Sequence, residues 1–436
     1  LDLRVLTGES APVLVGPGSA VPEGAENGDG ALIVVATAPG AGGTLSRVSE
    51  AVERASASKA PIQRLADRVS AVFVPGVVAL AAATAVGWGL AGAGWVDAAR
   101  HAATVLVVAC PCALGLATPA ALAAGTGAAA RRGVLFRDAA SLERLAAVDL
   151  VMFDKTGTLT TGEPAVVAVH GGPDVARWAA AAQVGSRHPI ARALRAAAPD
   201  APDGTDARAF PGRGVEATVD GATIRAGSAS WLGVDVPSDR TVVAVARDGA
   251  VVGWVELDDP LRDGVSEALG SLRARGLDVG VVSGDRAIVA SRVAASLGIT
   301  DVASEVLPEG KAAIVQERRA DRVVAFVGDG VNDAPALAAA DVGVAVGTGA
   351  DAALATAGVA LLRPEPQAVV DAVDVARATS RNIRQNLFLA FAFNVVALPL
   401  AAVGAFGPAL AGLAMAASSV TVTANALRLN RLGGGP

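Results

Sequence analysis

Asp154-Lys155-Thr156-Gly157-Thr158 follows directly on the apolar, β-rich run Val148–Phe153. A carboxylate at the end of a buried strand, followed by glycine and hydroxyl residues, suits a nucleophile that attacks phosphorus with backbone amides around the phosphoryl oxygens. Far downstream, Gly328-Asp329-Gly330-Val331-Asn332-Asp333-Ala334-Pro335 follows a second such run, Val323–Val327. Two acids there suit Mg2+, which takes carboxylate oxygens together with water and phosphate. Ser283-Gly284-Asp285 closes a third run, Asp278–Val282, and Lys311 offers a point charge for a phosphate. A lone aspartate in such a place is more often a helix cap or a solvated turn. Several chemistry-bearing elements that end successive strands of one sheet point instead to a shared site.

A second constellation is Cys110-Pro111-Cys112, which holds the only two cysteines of the chain. A disulfide between such near neighbours is geometrically strained. The triplet lies inside a long apolar stretch. On an unbroken helix, residues two apart point to nearly opposite sides, but proline removes a backbone donor and disrupts the turn before it. Such an opening lets both sulfurs face one ion, and thiolates are soft ligands that favour Cu(I) and also take Zn2+.

The elements that must position these groups divide into apolar and charged parts. Of the 436 residues, 18% are charged, yet the mean hydropathy is +0.48, a combination expected of membrane spans joined to a soluble part. The formal net charge of −6 and the lack of a long basic run speak against a nucleic-acid partner. Four stretches have about the 20 apolar residues that a bilayer needs: Val69–Leu90, Ala102–Ala124, Leu387–Val403 and Ala409–Ala426. Arginines flank their inner ends (Arg64, Arg68, Arg131, Arg132, Arg377, Arg381, Arg384, Arg428, Arg431), and only Arg100 lies in an outer connection. The positive-inside rule therefore puts both termini and the long middle in the cytoplasm, with the spans in a membrane, expected to be the bacterial plasma membrane. That middle alternates β-rich runs with helical segments such as Asp263–Arg275 and Arg286–Leu297, the pattern of a parallel sheet with ligands at the carboxyl ends of its strands. Between Thr161 and about Leu257, short β-like runs (Gly214–Asp220, Thr241–Ala246, Ala250–Leu257) read as a second domain inserted into the first.

The strings Asp154-Lys155-Thr156-Gly157-Thr158-Leu159-Thr160 and Gly328 to Pro335 together resemble the P-type ATPases. The resemblance implies a membrane α-helical bundle plus α/β cytoplasmic domains. Among these are a haloacid-dehalogenase-like, Rossmannoid phosphorylation domain, an inserted α+β nucleotide-binding domain and a partial β actuator domain. The expected order is actuator 1–58, membrane hairpin 59–130, phosphorylation domain 131–163 and 258–375, nucleotide-binding domain 164–257, and a final hairpin with its tail, 376–436. It also implies that Asp154 becomes an aspartyl-phosphate, with Lys155 and Thr158 in its loop. Thr156 and Ser283 would contact the phosphoryl group, Gly284 and Asp285 would lie beside it, and Lys311 would neutralise it. Asp154, Asp329 and Asp333 would hold Mg2+, with Asn332 completing the site.

Ser186-Arg187-His188-Pro189 resembles the His-Pro signature of the heavy-metal branch, so His188 and Pro189 are expected beside the adenine of ATP, with Gly212 and Gly214 in a glycine-rich nucleotide loop. Arg187 stands where that branch often has glutamate. Thr7-Gly8-Glu9-Ser10 resembles the actuator loop, in which Glu9 would position the hydrolytic water. Met415, Ser418 and Ser419 in the fourth span, and Asn386, Asn394 and Pro399 around the third, resemble the copper-exporting subgroup, although Phe393 replaces its usual tyrosine. By that resemblance Met415, Ser419 and Asn394 join Cys110 and Cys112 around the transported ion. Charge agrees: neither of the last two spans contains Asp, Glu or Lys, one of which a Zn2+ site would be expected to keep.

The expected function is ATP-driven export of a soft ion, Cu(I), with ATP and Mg2+ as cofactors and a cytoplasmic metal chaperone as a candidate donor. Zn2+/Cd2+ as cargo is one alternative. A membrane-tethered phosphatase of the haloacid-dehalogenase fold, or a non-transporting remnant, is another, since the family's earlier helices and the first half of its actuator domain are expected upstream of Leu1. His101, near the outer end of its span, is expected to be an interfacial histidine without a metal role.

Overall fold

The structure, a computed structural model, describes residues 16–19, 21, 33–35, 61–109, 112–186, 188–210, 212–329, 333–347, 357–405 and 407–433, with backbone alone at 61–67, 69, 112–114, 308, 309 and 433. Glu9, Cys110, Pro111, Arg187 and Asn332 lie outside the described residues, and of Cys112 only the backbone lies inside.

The described part of the membrane region begins with α1 (Pro61–Leu90), α2 (Trp95–Val108) and α3 (Cys112–Arg131). The stretch expected as one span, Ala102–Ala124, is thus not one helix. Helical structure ends at Val108 and resumes at Cys112, on either side of the proline that cannot donate to an i−4 carbonyl. Near the other end of this pair, His101 stacks on Trp88 with ring centroids 4.5 Å apart, and the Trp88 indole donates to the Ala402 carbonyl.

Next come β1 (Val134–Phe136), α4 (Ala139–Ala147) and β2 (Leu150–Asp154). The intervening stretch contains β3 (Ala165–Gly171), α5 (Val175–Ala181), α6 (Pro189–Ala197), β4 (Thr205–Phe210), β5 (Gly214–Val219), β6 (Ala222–Gly227), β7 (Thr241–Arg247) and β8 (Ala250–Asp258). Its six strands form one antiparallel sheet in the order β3-β8-β7-β6-β5-β4, with α5 and α6 packed on one face through Val175, Ala179 and Leu194. The edge strand β3 alternates exposed and half-buried positions, and its His170 stacks on Trp254.

The chain then returns to the first sheet through α7 (Val265–Ala274), β9 (Asp278–Val282), α8 (Ala287–Ser296), β10 (Asp301–Ala303), α9 (Pro308–Arg318), β11 (Val324–Gly328), α10 (Ala334–Ala339), β12 (Val342–Val346) and β13 (Val359–Leu361). This sheet has the order β1-β13-β12-β11-β2-β9-β10 and is parallel except for β1. Its central strands are apolar throughout because both faces are covered. Val151 and Phe153 of β2 face a layer that includes α4 and α7, while Leu150 and Met152 face α9 and α10.

The last two helices are α11 (Gln367–Ala402) and α12 (Pro408–Leu427). The expected third span is only the final part of α11, a 36-residue helix that runs through residues 375 and 376 without a break. Its first turns (Ala368 to Ala376) belong to the same apolar core as Val151 and Phe153, and Ala121 to Ala129 of α3 join that core as well. Among the described residues three helices are long and apolar enough to cross a membrane, at Ser70–Leu90, Gln367–Ala402 and Pro408–Leu432.

Gly125 of α3 lies directly against Thr379 of α11. A Cβ there would lie 2.2 Å from Thr379 Oγ1 and 2.7 Å from its Cγ2. Gly125→Ala is expected to force the two helices apart and lower stability by about 1–3 kcal/mol. Adding Thr379→Ala should restore most of the loss in thermal unfolding of the purified protein. Equal midpoints for Gly125→Ala and the parent would contradict this packing.

Candidate functional site

Strand register assembles the first constellation. Asp154 pairs with Val282 of β9 and Phe153 with Val327 of β11, so Asp154, Ser283 and Asp329 leave neighbouring strands at one edge of the sheet. The β2 strand ends because the chain turns sharply: Thr156 is extended, Gly157 has φ +74°, and the Thr160 N–H closes the turn on the Lys155 carbonyl. A positive φ suits glycine at that corner.

Three buried side chains then meet. Lys311, 8% exposed, sends its Nζ to Asp154 Oδ1 and to Asp333 Oδ1, both at 2.7 Å. Asp154 is 5% exposed and Asp333 1%. One ammonium therefore faces two carboxylates, with Asp329 adding a third negative charge to the field at Asp154. Burial and the charge of Asp333 push the Asp154 carboxyl up to about 7, against the opposing pull of Lys311. Burial alone would lower the Lys311 ammonium, but Asp154 and Asp333 outweigh it and hold it above its ordinary value.

The other expected residues fall around this core. Lys155 is buried and its ammonium pairs with the Asp285 carboxylate. The Ser283 hydroxyl, on a residue 1% exposed, accepts from the Asp285 N–H. Gly284 lies between them. Thr156 is exposed at the tip of the turn, whereas the Thr158 hydroxyl is buried without a hydrogen-bond partner among the described residues.

Carboxylate oxygens are the donors a hard divalent cation takes, although among the described residues no three acids converge as a ready-made cation site. Asp333 Oδ2 is likewise buried without a partner among the described residues, and the neighbouring donors are carboxylate oxygens rather than sulfur or imidazole. Gly328 makes room for it, since a Cβ there would lie 2.4 Å from Asp333 Oδ2.

Two residues that the sequence reading did not single out hold the nucleophile loop. Asp259 accepts from the hydroxyls of Thr160 (2.6 Å) and Thr161 (3.1 Å) and from the Gly162 N–H (3.0 Å), and Arg262 donates to the Gly157 carbonyl (2.9 Å). Thr160 in turn accepts from the Gly157 N–H. Their one sequence signal was Asp258-Asp259-Pro260 at the strand end, where the chain re-enters the first sheet.

In the antiparallel domain, His188, Gln183, Ser186, Phe210, Gly212, Gly214 and Val243 line a cavity of about 460 Å3. His188 caps α6, its Nδ1 accepting from the Ile190 N–H at 3.2 Å, and Pro189 occupies the first helical position, where its missing N–H costs nothing. Gly212 and Gly214 differ in their reasons. Gly212 has φ +71° and faces open space, whereas a Cβ on Gly214 would lie 2.4 Å from the Ala226 carbonyl of β6. The second glycine is required by strand pairing. In the membrane region, Asn394 and Ser418 are buried, Met415 and Ser419 are half-buried, and Asn386 joins a buried ladder with Asn382 and Asn425.

The folded form of Asp154 holds its proton more tightly than an unfolded carboxyl with its ordinary value of 3.8. Its contribution to stability is therefore full at acidic pH and is lost as pH rises towards about 7. In chelator-treated protein, stability should fall by on the order of a few kcal/mol across this window. Asp154→Asn should flatten that slope in denaturant unfolding between mildly acidic and neutral pH. Parallel pH profiles for variant and parent would contradict the assignment.

Residues 148–341 match the haloacid dehalogenase-like hydrolase family, and residues 1–53 match the P-type ATPase actuator domain. A copper-exporting P-type ATPase of Mycobacterium tuberculosis is 44% identical over 453 residues, which take in 99% of this chain and 59% of that protein. A copper-exporting P-type ATPase of Bacillus subtilis is 40% identical over 458 residues, 99% of this chain and 57% of that one. The chain thus spans less than two thirds of the length of these curated relatives. The crystal structure of a zinc-transporting PIB-type ATPase in its E2.Pi state shares 37% identity and a TM-score of 0.73, covering 99% of this chain and 74% of its own. With matching sequence over nearly its whole length and the strand-end acids gathered at one sheet edge, the chain belongs to the P-type ATPase family, in its PIB-type branch.

Proposed function

We propose that this chain is the catalytic and part of the transport machinery of an ATP-driven exporter of a soft metal ion, Cu(I), that works through a phosphoryl group carried on Asp154. The observation that carries the reading is the buried Asp154–Lys311–Asp333 cluster at the carboxyl edge of the parallel sheet. In it the carboxylate of Asp154 attacks the γ-phosphorus of ATP, the new O–P bond forms, and ADP leaves with the electrons of the broken P–O bond. Lys311 would offset charge on the transferred group, and the turn that begins at Lys155 would hold the loop's backbone beside its oxygens. Ser283 supplies a hydroxyl beside it. Mg2+, held by Asp154, Asp329 and Asp333, would screen the phosphate oxygens. Burial and the charge of Asp333 raise the Asp154 carboxyl, and the attacking form is its carboxylate.

The 460 Å3 cavity lined by His188, Phe210 and Gly212 is the proposed seat of the adenine. The 1–58 and 164–257 segments would serve as actuator and nucleotide-binding domains, with Glu9 directing the water that clears Asp154. Cys110 and Cys112, with Met415, Ser419 and Asn394, are the proposed ion ligands. The middle of the chain and both of its ends would lie in the cytoplasm, where a metal chaperone would deliver the ion.

Cu(I) is preferred over Zn2+ for two reasons. The copper-exporting relatives are the more similar in sequence, and the expected spans Leu387–Val403 and Ala409–Ala426 carry no carboxylate or lysine to complete a divalent site. Zn2+ remains the second reading because a zinc-transporting structure matches the fold so broadly.

Asp154→Ala is expected to abolish acid-stable labelling from γ-labelled ATP, and label that persists would remove the central assignment. In reconstituted protein, Cu(I) under reducing conditions should stimulate ATP hydrolysis and phosphoenzyme formation more than Zn2+ does, and Cys110→Ser with Cys112→Ser should end the stimulation. Stronger stimulation by Zn2+ would select the second reading.

A further inference from the structure

Where α11 leaves the parallel sheet and enters its apolar stretch, Ala146 of α4 and Arg377, Ser380, Arg381 and Arg384 of α11 line a notch of about 210 Å3. Its charge is one-sided. Arg377 is fixed by two backbone carbonyls, donating from Nη1 to Arg275 at 2.7 Å and from Nη2 to Val148 at 3.2 Å, so no carboxylate cancels its charge there. Arg381 and Arg384 are exposed and make no hydrogen bond or ion pair with any described residue. The carboxylates that α11 does carry are engaged elsewhere: Asp371 with Arg132 and Arg363, Asp374 with Arg275.

The surroundings of the notch define its ligand. Arg384 is one turn, about 6 Å, before Phe388, and Arg381 is two turns before it on the same side of the helix. Phe388 is 72% exposed, and Val395 and Val396 beyond it are 69% and 64% exposed, a surface made for hydrocarbon. A basic cleft followed within one turn by an exposed apolar surface matches an amphiphile with an anionic head and acyl tails. A free anion would use the cleft and leave the apolar side unexplained.

We propose that this notch binds the phosphate headgroup of an anionic phospholipid, with the acyl chains lying along Phe388 and Val395. The guanidinium groups of Arg381 and Arg384 suit phosphate oxygens, which arginine meets with paired N–H donors, while Arg377, held by its two carbonyls, adds positive charge to the cleft. The site joins two elements that also frame the nucleophile: α4 leads through Val148 into β2 and Asp154, and α11 continues into the membrane. A headgroup seated there ties the base of the sheet to the membrane surface. The inference rests on α11 crossing a bilayer, which is part of the reading above, and its test requires no transport or turnover. Its failure would therefore leave the phosphoryl-transfer assignment standing.

The experiment is electron spin resonance of the purified chain in phosphatidylcholine nanodiscs doped with spin-labelled phosphatidylglycerol or spin-labelled phosphatidylcholine. The parent should immobilise the anionic label preferentially. Each arginine removed should weaken that preference by about fivefold, so Arg381→Gln with Arg384→Gln should nearly erase it. Arg381→Lys with Arg384→Lys should keep most of it, with both double variants matching the parent in thermal unfolding. Undiminished preference in the glutamine pair would overturn the proposal. Loss of the parent's preference on adding excess inorganic phosphate, at an ionic strength matched with chloride, would overturn it too and assign the notch to free phosphate.

Discussion

Two buried carboxylates share one ammonium at the edge of the parallel sheet, and the rest of the architecture follows from keeping them there. Asp154, Asp333 and Lys311 leave net negative charge in a pocket from which water is nearly excluded, and Asp329 adds to the same field. Such an arrangement is costly unless a proton or a cation joins it. The raised Asp154 carboxyl and the unpartnered Asp333 Oδ2 are two expressions of that imbalance. Everything local serves the same point: the register of β2 with β9 and β11, the missing Cβ at Gly328, the tight corner at Gly157, and the Asp259 bracket that keeps the loop from fraying.

The charge cluster matters to the membrane region because the two are built on shared elements. The apolar core under β2 contains side chains from α3 and from the first half of α11, and α11 then continues as a membrane-length helix. No flexible connection interrupts it between Gln367 and Ala402. The sheet's core and these helices are thus close-packed through shared side chains, with Gly125 set directly against Thr379.

Much of this was legible in the sequence, and for definable reasons. Strands buried on both faces read as unbroken apolar runs, so Val342–Val346 and Asp278–Val282 were marked in full and the ends of β2 and β11 to within two residues. Polar residues placed just after such runs are brought to one edge by parallel pairing, so the spacing alone marks Asp154, Ser283 and Asp329 as candidates for one site. The edge strand β4, polar and exposed, carries no such signal, whereas β3 shows in the sequence only as a strand-like run before His170. Asp259 and Arg262 act through hydrogen bonds across about a hundred positions of sequence, which periodicity does not encode. Hydropathy marks the uniformly apolar end of α11 but not its first turns, because a helix on a sheet is apolar on one side only. The strand carbonyl of Ala226 that a side chain at Gly214 would meet comes from sheet pairing, which a glycine pattern in the sequence does not reveal.

If uncompensated charge around Lys311 is the organising constraint, a cation should drive the proton from Asp154. Calorimetric titration of the metal-free chain with Mg2+ near neutral pH, repeated in buffers of different ionisation enthalpy, counts the protons released. A fraction of one proton should leave per Mg2+ bound, shrinking as the pH is raised, and Asp154→Asn should bind without release. Binding by the parent with no proton released at neutral pH would contradict the account.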